Sequence, residues 1–470
     1  MLARPTCLLV ALAFLLVGCS GHDAAPPAKN VVLIVADTLR ADRLGCYGYP
    51  RATSPTIDAL AARGTLYERN HSQGCWTVPS MISMISGLYV TQDETVLPKH
   101  TTLNEAVHSA GIETAAFLAN QVLVTERGFD RGVDHFENLE NKSALQVGDA
   151  FATWLAGRKQ DERFFAWVHF IDPHQPYTPS PEFDLFQGER PEHAELLPRW
   201  RALQEQVARY DADGPSLDFD AAVAHMEREN SLYDGEVKQV DEGVRRVLAA
   251  LEKAGRLEDT LIVFASDHGE MLFEQSTSPI LIKDTLSKEG GLKKGVADLC
   301  ANGHRPWYFE DLWNTPLILA GPGVPAGVRR KELAQNLDIY PTILEALDVA
   351  PPKHLQGASI FTQRSQPLER VLAYGHQTSA VLEAAGQKLV VYPRHWYLLE
   401  GEGAAPTLLF ELPTDPGETN DLSDERPEDV ERLRDAIEQW HVSNARSADT
   451  QVTPEQEKAL RELGYIDAGK

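Results

Sequence analysis

The chain has 470 residues, of which 43% are hydrophobic and 24% charged, a composition typical of a globular protein. This length favours one large domain accompanied by a smaller one. The 69 acidic residues outnumber the 44 basic residues and give a formal net charge of −25. That charge disfavours nucleic acid as a partner, because the nucleic acid backbone carries the same sign.

The first residues indicate export and anchoring to a membrane. Arg4 precedes an apolar run from Cys7 to Val17, which is too short for a comfortable membrane span and is placed like the core of a signal peptide. The run ends in LVGC, which is similar to a bacterial lipobox. We therefore expect residues 1–19 to be a lipoprotein signal peptide ending at a lipidated Cys19, and residues 20–29 to be a polar tether. The alternative is an ordinary signal peptide with an incidental cysteine.

A lipoprotein signal peptide predicts a protein of the bacterial cell envelope, on the periplasmic or outer-membrane face. Contact with the membrane is expected through the lipid anchor only. The sequence does not indicate an oligomeric state.

The mature chain alternates between strand and helix patterns. Continuous apolar, β-branched runs indicate strands buried on both faces, as in a parallel sheet. Between them lie segments with helical periodicity and helix-start signals. The alternation predicts an α/β sandwich around a mostly parallel sheet. The predicted strands are 30–36, 113–119, 164–171, 260–265 and 317–320, and the predicted helices are 54–64, 79–88, 102–110, 143–156 and 230–253.

Two segments interrupt this pattern, and the chain changes character near residue 341. Residues 180–229 and 272–302 are interpreted as insertions over a catalytic face, with plain solvated surface as the alternative. Later residues read as short antiparallel strands followed by an amphipathic helix. We therefore assign residues 30–345 to a catalytic domain and 346–470 to a smaller C-terminal α+β subdomain. Its predicted strands are 371–374, 388–392, 396–400 and 408–412, and its helix is 427–440.

Acidic and imidazole side chains follow three of the predicted strands directly. Because ligands gather at the carboxyl ends of parallel strands, these side chains are expected to meet at one edge of the sheet. Carboxylates and imidazoles that converge there suit a hard or borderline divalent cation. A single aspartate could instead be a simple helix cap, but three such strand ends favour a metal site. The residues are Asp37, then His169, Asp172 and His174, and finally Asp267 and His268.

A hydroxyl precedes the helix that is predicted to begin at Pro79. Thr77 lies in the segment CWTVPSM, at the positive end of that helix dipole. A hydroxyl there can be ionised by a metal and can attack a phosphorus or sulfur centre. The alternative role for Thr77 is a helix cap.

Several long motifs, in order along most of the mature chain, resemble the sulfatase family of the alkaline phosphatase-like superfamily. The opening strand, first aspartate and first helix resemble the family's in NVVLIVADTLRADRLGCYGYPRATSPTIDALAARG. Later segments resemble further family markers and the second metal cluster. They are AAFLAN, GFDRGVDHF, LYDGEVKQVDEGV, SDHGE, NGHRPWYFEDLWNTPLILAGPG, LDIYPTIL, LQGASI, LFELPTDPGETNDL and LRELGYID.

The resemblance implies an alkaline phosphatase-like α/β/α fold and a role for each matching residue. Asp37, Asp267 and His268 match metal ligands, and Thr77 falls at the position of the nucleophile, where it would also face the metal. His304 matches a histidine that contacts the transferring group or a second metal, and His174 matches another histidine on the oxyanion side. Either histidine would stabilise charge or protonate the leaving oxygen after Thr77 attacks.

Metal identity and number stay open at this stage. The expected ion is Ca, Mn or Zn. In the two-metal plan of the superfamily, Asp172, His174 and His304 would hold a second ion; in a one-metal plan they would form hydrogen bonds to the substrate. His169 and Asn120 are candidates for the same second-metal or substrate contacts.

The sequence departs from the family's sulfate-ester enzymes at the nucleophile. Those enzymes usually carry Cys or Ser there, oxidised to formylglycine, whereas Thr77 cannot become that aldehyde. Cys75 lies two residues too early, Met81 replaces the usual Arg, and Thr38 replaces a second metal-binding Asp. Thr nucleophiles are typical of the family's phosphorus-handling relatives.

We therefore expect a metal-dependent hydrolase of sulfate or phosphate esters, acting on a small-molecule, glycan or lipid ester. The alternatives are an envelope phosphotransferase of the phosphoethanolamine or phosphoglycerol type, and an inactive sulfatase-like binding protein.

Overall fold

The computed structural model describes residues 28–91, 96–187, 198, 219–273, 302–304, 307–361, 367–375, 378–392 and 407–444. The predicted signal peptide, Cys19, most of the tether, most of the 272–302 insertion and the predicted strand 396–400 lie outside these ranges. Those assignments stay predictions.

A large sheet forms the centre of the protein. Within the described residues it has eight strands in the order β10-β2-β9-β6-β1-β5-β3-β4, all parallel except β9, which runs antiparallel to β2 and β6. This confirms the mostly parallel sheet. The strands are β1 Asn30–Ala36, β2 Thr65–His71, β3 Glu113–Leu118, β4 His135–Asn138, β5 Phe164–Phe170, β6 Thr260–Ser266, β9 Leu317–Ala320 and β10 Val328–Gln335, while β7 Met271–Leu272 and β8 Asn302–Gly303 form a separate antiparallel pair.

Helices cover both faces of the sheet because its central strands carry apolar side chains on both sides. In β1, Val31, Leu33 and Val35 join one hydrophobic core, and the alternating residues between them join the other. Helices α2, α3 and α7 pack on the first face, and α1, α4 and α5 on the second, which makes the α/β/α sandwich. The helices are α1 Pro55–Ala62, α2 Thr77–Ser86, α3 Leu103–Ser109, α4 Ala144–Ala156, α5 Phe219–Lys253, α6 Glu310–Trp313 and α7 Ile339–Ala346.

Two helix starts differ from the prediction by two residues or more. Helix α2 begins at Thr77 rather than at Pro79, so the hydroxyl lies within its first turn and not before it. Helix α5 begins at Phe219, inside the stretch interpreted as an insertion, rather than at Asn230. In α2, Pro79 occupies an early helical position where no hydrogen bond from its N–H is needed, so the helix can start before it.

The later part of the chain forms a second, antiparallel sheet of β11 Arg370–Gly375, β12 Thr378–Glu383, β13 Gln387–Val391 and β14 Thr407–Glu411. One face packs against helix α8, Pro427–Asn444, through residues such as Val381 and Leu433. The other face, including Val371 and Val390, joins the core beneath α2. The predicted smaller α+β unit is thus present and rests directly on the layer that carries Thr77.

Candidate active site

The parallel strands deliver their polar residues to one edge of the sheet, as expected. Asp37 follows β1, Asn120 lies just beyond β3, His169 lies near the end of β5, and Asp267 and His268 follow β6. All five side chains are fully buried. Ligand atoms of Asp37, Asp267 and His268 lie within 4.8 Å of one another, the one such group among the described residues.

The Thr77 hydroxyl faces this group from the first turn of α2. Its Oγ1 lies 3.4 and 3.3 Å from the two carboxylate oxygens of Asp37 and 3.4 Å from Nε2 of His268. The Asn120 amide donates to Oδ2 of Asp37 at 2.5 Å and reaches Thr77 Oγ1 at 3.5 Å. The nucleophile candidate is therefore in direct contact with the predicted metal ligands.

Backbone groups fix the orientation of Asp267 and His268. The amides of Thr38 and His268 donate to Oδ1 of Asp267 at 3.2 and 2.9 Å, while Oδ2 is buried and receives no hydrogen bond from the described residues. The ring Nδ1 of His268 lies 2.9 Å from the Gly269 carbonyl, which requires a proton on Nδ1. Nε2 then carries a lone pair, and it faces Oδ1 of Asp37 at 3.5 Å and Oδ2 of Asp267 at 3.6 Å.

This donor set fits a divalent cation. Burial, together with the neighbouring Asp267, raises the pKa of Asp37 well above its usual value, and burial raises the pKa of Asp267 to about 6. Burial lowers the pKa of His268, which keeps the ring neutral. Two buried carboxylates and an imidazole lone pair that face one another repel unless positive charge lies among them.

Two further histidine rings form a chain of contacts with His268. The ring centroid of His304 lies 4.6 Å from that of His268 and 4.8 Å from that of His174. Nδ1 of His174 donates to the Gln175 carbonyl at 2.5 Å, and burial lowers the pKa of His174 to about 3. The structure thus places both predicted acid-base histidines beside the metal-ligand group.

His169 and Asp172 follow the same strand but have different surroundings. Nε2 of His169 lies 4.0 Å from Oδ2 of Asp37, and neither ring nitrogen has a hydrogen-bond partner among the described residues. The Asp172 carboxylate instead accepts from the Ala144 amide at 2.7 Å and from the side chain of Gln239. The structure therefore does not bring Asp172 into the group: it holds the N-terminus of α4 against α5.

The Sulfatase family model matches residues 29–349, most of the chain. The chain belongs to the sulfatase family. It is therefore an ester hydrolase of the sulfatase type, and the motif resemblance is confirmed.

Known proteins support this assignment at low identity. The chain is 23% identical to human Arylsulfatase K over 86% of its own length and 80% of that protein's. It is 24% identical to the multifunctional alkaline phosphatase superfamily protein PehA of Trinickia caryophylli, over 89% of the chain and 96% of that protein.

Solved structures share the fold. The protein BT4656, in complex with its substrate D-glucosamine-2-N,6-O-disulfate, superposes with a TM-score of 0.66 at 17% identity, covering 94% of this chain and 99% of that one. The phosphonate monoester hydrolase of Agrobacterium radiobacter gives 0.63 at 18% identity, covering 91% and 98%. The fold is therefore alkaline phosphatase-like, as predicted.

Sequence reasoning missed Glu270 at this site, and it noted Thr38 only as the replacement for a metal-binding Asp. Glu270 is fully buried, and its Oε1 lies 3.1 Å from Nδ1 of His304. Thr38 adopts a left-handed φ of 55°, an uncommon conformation for a β-branched residue, and uses its amide to orient Asp267. Within SDHGE, a carboxylate so close to Asp267 and His268 was the available signal for Glu270; nothing in the sequence marked Thr38 as strained.

Proposed function

We propose that this protein is a metal-dependent hydrolase that uses Thr77 as its nucleophile and turns over phosphorus esters faster than sulfate esters. The observation that carries the proposal is the position of Thr77 Oγ1, within 3.4 Å of both Asp37 oxygens and of His268 Nε2. Its place in the first turn of α2 adds the positive end of a helix dipole.

Asp37, Asp267 and His268 would hold the cation, and Thr77 would face it. A divalent cation there supplies positive charge that lowers the pKa of the Thr77 hydroxyl and stabilises charge on the ester oxygens. The lone pairs converging on one point and the buried, unpartnered Oδ2 of Asp267 support this role.

The residues of the chain then divide the reaction between them. Thr77 Oγ1 attacks the phosphorus or sulfur atom in line, and its proton passes to the adjacent Asp37 carboxylate. The bond to the leaving oxygen breaks, and that oxygen takes the Nε2 proton of His304 or His174, which must be in the imidazolium form because Nδ1 of each ring already donates elsewhere. Asn120, whose amide lies between Asp37 and Thr77, donates to an oxygen of the transferring group. Water then attacks the same centre and gives a proton to the histidine that served the leaving oxygen; the bond to Thr77 Oγ1 breaks, and that oxygen takes its proton back from Asp37.

The chemistry of a threonine ester favours phosphorus over sulfur. The formylglycine route of sulfate-ester enzymes expels sulfate from a geminal diol, which a threonine side chain cannot form. A threonine ester must instead be opened by a second attack at phosphorus or sulfur, and phosphorus remains a good centre for in-line displacement.

The names of the relatives bear on the substrate class. A phosphonate monoester hydrolase and an enzyme with a sulfated glucosamine substrate both share this fold. They support an ester of a small-molecule or glycan alcohol. No observation in the structure favours the phosphotransferase alternative.

The test compares four substrate classes on metal-loaded protein: aryl sulfate, phosphate monoester, phosphodiester and phosphonate monoester. We expect Thr77→Ala to abolish turnover of all of them, and Thr77→Ser to retain a measurable fraction because the attacking hydroxyl remains. Cys75→Ala is the matched control and should leave turnover largely intact. Loss of activity in Cys75→Ala with full activity in Thr77→Ala would contradict the proposal.

A further inference from the structure

The buried carboxyl group of Glu270 contacts His304, one of the two candidate acid-base histidines. The pairing of two short strands places these residues opposite each other. Strands β7 and β8 pair antiparallel with Met271 opposite Gly303 and Leu272 opposite Asn302. The same register places Glu270 opposite His304, one step further along the pair. The contact between Oε1 of Glu270 and Nδ1 of His304, 3.1 Å, is therefore a cross-strand pair.

The backbone around Glu270 is held from the other side as well. The amides of Gly269 and Glu270 donate to the carbonyls of Leu312 and Asp311 at 2.8 and 3.1 Å. A Cβ on Gly269 would lie 1.9 Å from the Asp311 carbonyl oxygen, so only glycine allows this approach. A guanidinium N–H of Arg40 donates to the Glu270 carbonyl at 3.2 Å. The carboxylate is thus presented to His304 from a fixed backbone.

The two candidate histidines differ in the partner of Nδ1. His174 directs Nδ1 to a backbone carbonyl, whereas His304 directs it to a carboxylate. A carboxylate acceptor fixes both the orientation of an imidazole ring and the nitrogen that carries the proton, and it does so more strongly than a neutral acceptor.

We propose that Glu270 is a positioning residue that acts through His304, an inference that rests on the proposed function. By accepting the hydrogen bond from Nδ1, Glu270 assigns the substrate contact to Nε2 and holds the ring beside His268 and His174.

A double-mutant cycle tests whether Glu270 acts through His304. We expect Glu270→Met, which keeps the shape but removes the acceptor, to lower kcat by about 10–100-fold with KM little changed. Glu270→Gln, which keeps an acceptor oxygen, should recover much of this loss. In a His304→Ala background the same Glu270→Met substitution should cost no more than about twofold, because its partner is already absent.

Glu236 provides the matched control, because it is a buried glutamate on α5 whose Oε1 accepts from the Thr178 amide and not from a histidine. Glu236→Met should cost the same factor with and without His304. Equal losses from Glu270→Met in both backgrounds would mean that Glu270 is merely structural, and would overturn the proposal.

The protonated nitrogen of the His304 ring can also be identified without measuring turnover. In protein with ¹⁵N-labelled histidine, loaded with a diamagnetic metal, the His304 resonances are identified by their loss in His304→Ala. We expect Nδ1 of His304 to carry the proton in the wild type and to lose this preference in Glu270→Met. A wild-type spectrum with the proton on Nε2 alone would overturn the proposal. Because this measurement needs no catalysis, it stays decisive even if Thr77→Ala keeps full activity, the result that would sink the proposed function.

Discussion

Cys75 and Thr77 are two residues apart, yet their surroundings give them different chemistry. Cys75 is fully buried in the core beneath α2, and burial raises the pKa of its thiol to about 12. A thiol of that pKa is inert at neutral pH. Thr77, equally buried, directs its hydroxyl at Asp37 and His268. Cys75, which precedes α2, is thus a packing residue, whereas Thr77, the first residue of α2, is the nucleophile candidate.

Asp267 offers the most direct test of the metal site. Its Oδ1 accepts from two backbone amides and its Oδ2 faces the lone pair of His268. None of these groups carries a negative charge that could replace that of the Asp267 carboxylate. We expect Asp267→Ala to lose the bound metal, measured by elemental analysis, together with nearly all activity. Asp172→Asn is the control and should keep its metal, because that carboxylate binds Ala144 and Gln239 instead. Full activity of the wild type after exhaustive chelation would contradict metal dependence.

Sequence reasoning located residues that follow strands but not those placed by pairing between distant segments. Asp37, Asp267 and His268 could be predicted because a parallel sheet gathers its strand ends at one edge. Asp172 follows a strand too, but its side chain turns to the start of α4, a choice that depends on the packing of α4 against α5. The Glu270–His304 contact depends on the β7–β8 register, which two-residue strands 30 residues apart do not reveal.

At the scale of elements, a buried ionic cluster joins the two sheets. Lys388 on β13 is fully buried, and its Nζ lies 3.0 Å from Oε1 of Glu310 and 2.7 Å from Oε1 of Glu418. The other oxygen of Glu310 lies 3.1 Å from Nε2 of His71, at the end of β2. The C-terminal sheet is thereby tied to the segment that leads into α2 and Thr77.

This cluster predicts how acid affects stability. Burial alone would raise the pKa of Glu310, but Lys388 and His71 outweigh it and hold that pKa well below the usual range. The ionised form therefore stabilises the fold above the pKa of an unfolded glutamate, about 4.3, and this stabilisation is lost as the pH falls toward the folded pKa. We expect Glu310→Gln to lower the free energy of unfolding by about 3 kcal/mol at neutral pH.

The gap between wild type and Glu310→Gln should stay constant down to about pH 5 and shrink below about pH 4. Denaturant unfolding at a series of pH values measures it. Glu258→Gln is the control, because the Glu258–Arg63 pair is exposed and should contribute little at any pH. A gap for Glu310→Gln that widens as the pH falls would contradict the assigned direction.

At the scale of the whole molecule, the N-terminal segment predicts where the protein is located. In the part of the chain that the structure describes, none of the helices has the length and apolarity needed to cross a bilayer. We propose that the protein is held at the bacterial cell envelope by lipid on Cys19, with residues 20–29 as a tether. The supporting observation is the LVGC motif that ends the apolar run.

Anchoring is tested by replacing the acylated residue. We expect Cys19→Ala to move the protein from the membrane fraction, or from the detergent phase after phase partition, into the aqueous fraction, because the acyl chains are its membrane contact. Cys46→Ala, a change in a half-buried thiol of the catalytic domain, should leave the distribution unchanged. A Cys19→Ala protein that stays wholly in the detergent phase would sink this proposal.

In the proposed mechanism Thr77, and not a modified Cys75, carries the covalent intermediate. The direct measurement is mass spectrometry of the peptide that contains both residues, from metal-loaded protein quenched with acid during turnover of a phosphonate or phosphate ester. We expect a phosphorus-containing adduct on Thr77 and an unmodified Cys75 thiol. Formylglycine at Cys75, or an adduct that persists in Thr77→Ala, would contradict it.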